Sequence, residues 1–144
     1  MKTRILGAAL GIAVLSGLLV PSPAQARDGA ASASVPPYRD LGGGSVRATI
    51  DFTSRTRVVV RNFTVRDLCP GDNAPVSARF VWVHTDGTDG TSAWRSDTNG
   101  CGDHGTNFGN LTRTGRKPIR KVYLHVRARE GSFDFSADQY NQYN

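Results

Sequence analysis

Cysteine, glutamate, lysine and methionine are all scarce in this sequence. The 144 residues include two cysteines, one methionine, three lysines and a single glutamate, Glu130. Since Glu, Lys and Ala are sparse after residue 45, most of the usual helix formers are missing and long helices are not expected. The chain also has no Cys-x-x-Cys, Gly-x-Ser-x-Gly, His-Glu-x-x-His or P-loop motif, which argues against the redox, hydrolase and nucleotide-binding classes that use them.

Only one long apolar run is present, and it lies at the N-terminus. A basic start and an apolar stretch over residues 5–20 lead to an Ala24-Gln25-Ala26 site. This order predicts a secretory signal peptide over residues 1–26, cleaved between Ala26 and Arg27. The apolar stretch is shorter than the ~20 residues that span a bilayer, which argues against a membrane anchor. We therefore expect a secreted, extracellular protein without integral membrane association after cleavage.

The chain is basic, and most of its positive charge comes from arginine. The cleaved chain of 118 residues would carry a net charge of +4, because the signal contains two of the 18 basic residues and none of the 12 acidic ones. This length is enough for one domain. Arginine outnumbers lysine 15 to 3. The excess indicates either phosphate recognition or the codon bias of a GC-rich genome.

Period-two alternation of apolar residues predicts strands through most of residues 45–137. The predicted inward rows are Val46, Ala48, Ile50 and Phe52; Val76, Ala78, Phe80 and Trp82; and Val122, Leu124, Val126 and Ala128. A further strand over Arg57 to Leu68 loses its alternation near Arg61 and Asn62, which predicts a β-bulge. Short strands with glycine-rich turns predict an all-β domain, a single small antiparallel sandwich or barrel with one disulfide.

The segments on either side of this domain lack such alternation. Residues 27–44 are rich in Ala, Ser, Pro and Gly and are expected to form a disordered linker. Residues 138–144 are expected to form a polar C-terminal tail. Inside the domain, residues 86–107 are dominated by Asp, Gly, Thr and Asn. Hairpin turns explain this composition, and a calcium site is the alternative, although EF-hand spacing is absent.

The two cysteines are expected to pair with each other. Cys69 and Cys101 are the only cysteines in a chain predicted to be exported, where the compartment is oxidising. The bridge would close a loop of about 33 residues and add roughly 3–4 kcal/mol of stability through chain entropy. A catalytic or redox thiol is the alternative interpretation.

The strongest candidate for a functional surface is the outward row of the strand at Ile119 to Arg129. The row consists of Lys121, Tyr123, His125, Arg127 and Arg129. Such a positive stripe with one aromatic ring suits an anionic polymer, for example nucleic acid, wall teichoic acid or anionic lipid headgroups. The alternative is an ordinary solvated face, on which basic residues discourage edge-to-edge pairing.

No catalytic residue, metal site or cofactor is assigned from the sequence. His104 or His125 with Glu130 and an arginine could serve a small secreted hydrolase, a nuclease or a cell-wall enzyme. A constrained loop between Cys69 and Cys101 could instead enter a protease as an inhibitor. Trp94 could stack on a sugar.

Two short segments carry a resemblance to other proteins. The Cys69-Pro70-Gly71-Asp72 turn and the Asn99-Gly100-Cys101-Gly102 segment resemble those of small secreted actinobacterial β-rich proteins of unknown function. The resemblance covers Arg57 to Tyr140. It implies secretion and a β domain held by a disulfide, and it assigns no catalytic residues. The sequence therefore favours a secreted, non-catalytic β-sandwich that acts as an extracellular binding module of unknown partner, with an anionic polymer as the candidate.

Overall fold

The computed structural model describes residues 28–70, 74–102, 104–129 and 131–144, and these residues form an all-β fold without a helix. The strands are β1 Gly29–Val35, β2 Gly43–Ser54, β3 Arg57–Leu68, β4 Ser77–His84, β5 Asp89–Thr91, β6 Arg95–Ser96, β7 Thr106–Asn107, β8 Leu111–Thr114, β9 Ile119–Arg127, β10 Phe133–Phe135 and β11 Gln139–Tyr140. The predicted signal peptide, with its Ala26–Arg27 cleavage site, lies outside the described residues.

The strands form two antiparallel sheets that face each other as an open sandwich and not as a closed barrel. In the first sheet the order is β1, β2 and β3, and both β7 and β8 pair with the outer edge of β3. In the second sheet β4 and β9 are central. Strands β10 and β11 pair with β9, while β5 and β6 pair with β4. The all-β class and the disulfide predicted from the sequence are confirmed.

The core lies between the sheets and is built from the predicted inward rows. Every residue of the three rows is buried, with at most 9% of its surface exposed. The predicted bulge in β3 is also present: Asn62 has a φ of 52°, and the pairing with β2 shifts between Arg47 and Thr49. This shift explains why Val58 and Val60 are buried before the bulge but Phe63 and Val65 after it.

The disulfide joins the end of β3 to the connection between β6 and β7. Cys69 and Cys101 are bonded, with their Cα atoms 5.1 Å apart. Asp97 fastens the same region, because its carboxylate accepts hydrogen bonds from the backbone N–H groups of Asp67 and Asn99 and from the Thr106 hydroxyl. Burial raises the pKa of Asp97, but these hydrogen bonds outweigh it and lower the pKa overall.

The predicted disordered linker at residues 27–44 is wrong over much of its length. Gly29–Val35 forms β1, which pairs with β2 from Gly29 opposite Ile50 to Val35 opposite Gly44. The alternate residues Ala31, Ala33 and Val35 are buried. These buried side chains are small, so the hydrophobic alternation is too weak to stand out in the sequence.

The predicted domain boundary at residue 137 is also wrong. Gln139–Tyr140 forms β11 and pairs with β9 at Val122 and Lys121. Asn141 is buried, and its side-chain N–H groups donate to the carbonyls of Ser54 at 3.1 Å and Ile119 at 2.9 Å. The polar character of this segment therefore reflects hydrogen bonding to backbone carbonyls at one end of the sandwich.

Candidate functional site

The row predicted from the sequence lies on the outer face of the second sheet. Strand β9 buries Val122, Leu124 and Val126, so the intervening side chains point away from the core. Arg127 is exposed, while Lys121, Tyr123 and His125 are half-buried. The partial burial shows that other side chains cover part of this face.

Two cations of the predicted row are bound to other parts of the molecule. Lys121 forms an ion pair with Asp138, with the Nζ and Oδ2 atoms 2.6 Å apart. Arg129 lies just after β9, and its Nη1 donates to the carbonyl of Gly42 at 2.8 Å. The continuous positive stripe expected from the sequence is therefore reduced to its middle, around His125 and Arg127.

Trp94 covers this middle part of the face. Two guanidinium groups lie against its indole, with the Cζ of Arg79 4.4 Å and the Cζ of Arg127 4.2 Å from the centre of the indole ring. The imidazole of His125 meets the indole edge-on, with the ring centres 5.0 Å apart. Trp94 is held there because Ser92 is anchored on β4: its hydroxyl accepts from the N–H of Phe80 and its own N–H donates to the Phe80 carbonyl.

Strand β10 adds two phenylalanines to the same face. Phe133 pairs with Arg127 and Phe135 with His125 in the sheet register. The centre of the Phe135 ring is 4.4 Å from that of His125, and the Phe133 ring centre is 5.9 Å away. Phe133 is 61% exposed and Phe135 46% exposed. Large aromatic side chains with this exposure are typical of binding surfaces.

Six side chains that contact one another on this face form what we call the outer-face cluster. They are Arg79, Trp94, His125, Arg127, Phe133 and Phe135. An open groove of about 540 Å³ runs beside the cluster and is lined in part by Trp94, His125, Arg127 and Phe133.

The outer-face cluster carries the positive charges of Arg79 and Arg127. Among the described residues, no carboxylate forms an ion pair with Arg79 or Arg127. The Nε of Arg79 is buried and has no hydrogen-bond acceptor in the described part of the chain. Burial lowers the pKa of His125, and the positive charges of Arg79 and Arg127 lower it further. Both effects favour the neutral imidazole, which packs as an aromatic ring against Trp94 and Phe135.

No family model, curated protein or solved structure matches this chain. The resemblance to small secreted actinobacterial proteins therefore stays a prediction. Within the described ranges, no segment forms a helix that is long and apolar enough to cross a membrane. The function must be argued from the geometry of the chain itself.

The histidines proposed for a hydrolase lie on different parts of the molecule. His104 lines a notch of about 80 Å³ with Arg47 and Arg66, on the outer face of the first sheet, whereas His125 lies on the opposite side of the sandwich. His84 is buried, and its Nδ1 lies 3.1 Å from the Pro118 carbonyl oxygen. Glu130, the proposed acid, is outside the described residues. The described residues thus do not assemble the expected histidine, acid and arginine pocket.

Of the aspartates in residues 86–107, Asp86 lies in a turn, whereas Asp89 begins strand β5. Asp86 accepts hydrogen bonds from the N–H and the hydroxyl of Thr88 and pairs with Lys117 at 2.8 Å. These contacts hold the pKa of Asp86 well below its usual range, with Lys117 as the largest contributor. Asp97 fastens the disulfide region as described above. The turn interpretation is confirmed for Asp86-Gly87, but Asp89-Gly90, which the same interpretation would place in a turn, belongs to strand β5.

The chain between the cysteines includes three strands and is not one free loop. It contains β4, one of the two central strands of the second sheet, together with β5 and β6. A protruding inhibitory loop, which the protease-inhibitor alternative needs, is not formed by the described residues of this segment.

The sequence pattern singled out Trp94, His125 and Arg127 but did not group them with Arg79, Phe133 and Phe135 as one site. The outward position of Arg79, the paired rings of Phe133 and Phe135, and the isolated Trp94 are all visible in the sequence. They meet because β10, β9 and β4 lie side by side, and because the connection between β5 and β6 turns Trp94 over β4. Knowledge of the strand order would have been needed to group them.

Proposed function

We propose that this protein is a secreted, non-catalytic binding module that holds an anionic polymer on the outer face of its second sheet. The observation that supports this most strongly is the contact of the Arg79 and Arg127 guanidinium groups with the same indole, that of Trp94. No described carboxylate neutralises either group.

Stacking on an indole leaves the charge of an arginine available for a ligand. A guanidinium uses its flat faces for stacking, while its N–H groups point outward in the plane and can donate to phosphate or carboxylate oxygens. The stack also fixes the two side chains of Arg79 and Arg127 in advance. Less conformational entropy is therefore lost when an anion binds.

The shape of the face favours a polymer over a small ligand. The outer-face cluster spans three strands, β10, β9 and β4, and its groove is open to solvent. A polymer gains affinity from several weak phosphate contacts and from the release of its counterions. The exposed rings of Phe133 and Phe135 add platforms on which bases or sugars of such a polymer can stack.

Export of the protein is part of the proposal. The predicted cleavage between Ala26 and Arg27 would leave β1 whole, because this strand begins at Gly29. The disulfide between Cys69 and Cys101 suits an oxidising compartment.

Binding of two polyanions by charge variants tests the proposal. The mature chain is titrated with a labelled single-stranded DNA oligomer and with inorganic polyphosphate over a series of salt concentrations. We expect the double variant Arg79→Gln, Arg127→Gln to bind the DNA and the polyphosphate about tenfold more weakly. For DNA, the slope of log affinity against log salt should decrease in magnitude by roughly 1.4, because two phosphate contacts are lost.

A matched control separates this site from the general charge of the protein. Arg47→Gln with Arg57→Gln removes the same charge from exposed positions on the first sheet. This control is expected to change the affinity much less. Equal losses in the two double variants, or no binding by the wild type at low salt, would contradict the proposal.

A further inference from the structure

The two open edges of the sandwich are built differently. At one edge β1 approaches β10, and the N–H of Ser34 donates to the carboxylate of Asp134 at 2.9 Å. At the other edge, β8 of the first sheet lies across from β5 and β6 of the second. A groove of about 430 Å³ opens there and reaches the core aromatics Phe80 and Trp82.

Trp82 forms the floor of this edge groove. It is only 9% exposed and packs on Phe80, with the ring centres 5.7 Å apart. Gly90 lies opposite Trp82 in the sheet register, and a β-carbon at this position would lie 2.5 Å from the indole. Because only glycine leaves room there, the indole is held in one position along the groove.

Arg113 occupies an inward position that an apolar residue would ordinarily fill. It pairs with the fully buried Val58, just as Leu111 on the same strand pairs with the fully buried Val60. The Cζ of Arg113 lies 4.5 Å from the centre of the Trp82 ring. Its Nε is buried without an acceptor, and it forms no ion pair within the described part of the chain.

A second guanidinium and the remaining lining residues define what this groove can accept. Arg95 also lines it, with its Cζ 5.5 Å from the ring centre of Phe108. The lining residues are Phe80, Trp82, Ser92, Arg95, Asn110, Leu111, Thr112 and Arg113, none of which is acidic. The groove therefore combines an apolar floor with uncompensated positive charge at its rim.

We propose that the edge groove binds an amphiphilic carboxylate, an anion with one carboxylate head and an apolar body. The head accepts hydrogen bonds from Arg113, whose planar fork matches a carboxylate and whose Nε lacks a partner. The apolar body lies against Phe80, Trp82 and Leu111. The groove volume falls within the ~300–1,000 Å³ of small-molecule sites. This site is separate from the outer-face cluster and does not depend on polymer binding.

The two tryptophans of the chain allow a direct test. In a Trp94→Phe protein the only indole is Trp82, so its fluorescence and its indole N–H resonance report on the groove. Octanoate is expected to produce a saturable change in both signals. Octanol lacks the charge and is expected to bind at least about tenfold more weakly than octanoate. Acetate lacks the apolar body and is expected to change neither signal.

Variants of the arginine separate ligand binding from a structural role. Arg113→Gln in the Trp94→Phe protein should weaken octanoate binding by about tenfold or more, and Arg113→Lys, which keeps the charge but loses the fork, by less. Arg47→Gln, on the outer face of the first sheet, is the control and should leave the affinity unchanged. If Arg113→Gln fails to fold, the Lys variant and the octanoate–octanol comparison still decide the result.

Three results would overturn the proposal. The first is the absence of a saturable change in the Trp82 signals with octanoate. The second is equal binding of octanol and octanoate, which would remove the role of the carboxylate. The third is unchanged octanoate affinity in a folded Arg113→Gln protein, which would leave Arg113 only the structural role of a charge that protects a sheet edge.

Discussion

At the scale of single residues, the arginines of this protein are distinguished by what they lie against. The guanidinium groups of Arg79 and Arg127 stack on Trp94, that of Arg113 on Trp82 and that of Arg95 on Phe108. Cation–π stacking favours arginine over lysine because the guanidinium is flat and weakly hydrated. Codon bias alone does not explain why the side chains are placed on rings, so the arginine excess has a structural use here.

His125 is the residue whose ionisation should be most visible in stability. Its pKa is lowered below the ordinary 6.5 by burial and by Arg79 and Arg127. Between that lowered pKa and 6.5 the unfolded chain binds more protons than the folded one, so stability falls as the pH decreases through this window. Well above pH 6.5 His125 is neutral in both states and contributes no slope.

We predict that His125→Gln flattens the dependence of stability on pH between 5 and 7. The free energy of unfolding in urea, measured at several pH values, checks this. His104→Gln is the control, because His104 is exposed on the opposite side of the sandwich. An unchanged slope in the His125 variant would show that the histidine is not held in its neutral form by its neighbours.

At the scale of the strands, the long apolar alternations could be read from the sequence but the short polar strands could not. Strand β9 and the bulge in β3 follow from the pattern of side chains alone. Strand β1 escaped because its buried residues are small, and the glycines after it suggested a tether. In the structure Gly43 and Gly44 are packed so closely, against the carbonyl of Val35 and the side chain of Val76, that a β-carbon at either position would clash.

We predict that a mature chain starting at Ser45 is strongly destabilised. The truncation removes β1 with its seven paired positions and the buried Ala31, Ala33 and Val35. Burial of Val35 alone is worth about 1.5–3 kcal/mol, so we expect a total loss of at least about 3 kcal/mol. Thermal and urea unfolding, with the chain starting at Arg27 as reference, measure this. Equal stability of the two chains would mean that β1 is dispensable, as a linker would be.

At the scale of the whole molecule, the sandwich separates its surfaces by chemistry. The outer face of the second sheet carries the aromatic and arginine groups of the outer-face cluster. The outer face of the first sheet carries Arg47, Thr49 and Thr64, which line two grooves. One edge is fastened by Ser34 and Asp134, while the other is open at Trp82.

Only the part of the candidate site that lies on one strand could be predicted from the sequence. The outward row of β9 follows from alternation along one strand, which is a local property of the sequence. The positions of Arg79 on β4 and of the phenylalanines on β10 depend on which strands become neighbours in the sheet. The position of Trp94 depends on the path of the connection between β5 and β6. Lys121 and Arg129, which the sequence places with the others, are bound to Asp138 and Gly42 by contacts that no local pattern indicates.

The central claim is that an anionic polymer binds at the outer-face cluster and not elsewhere on a basic protein. Two-dimensional NMR of the mature, isotope-labelled chain during titration with polyphosphate tests this most directly. The account predicts saturable shifts of the Trp94 indole N–H and of the amides of Arg79, His125 and Phe133, while the Trp82 indole changes little. Shifts centred instead on Arg47, Thr64 and His104, or spread evenly over all basic residues, would contradict it.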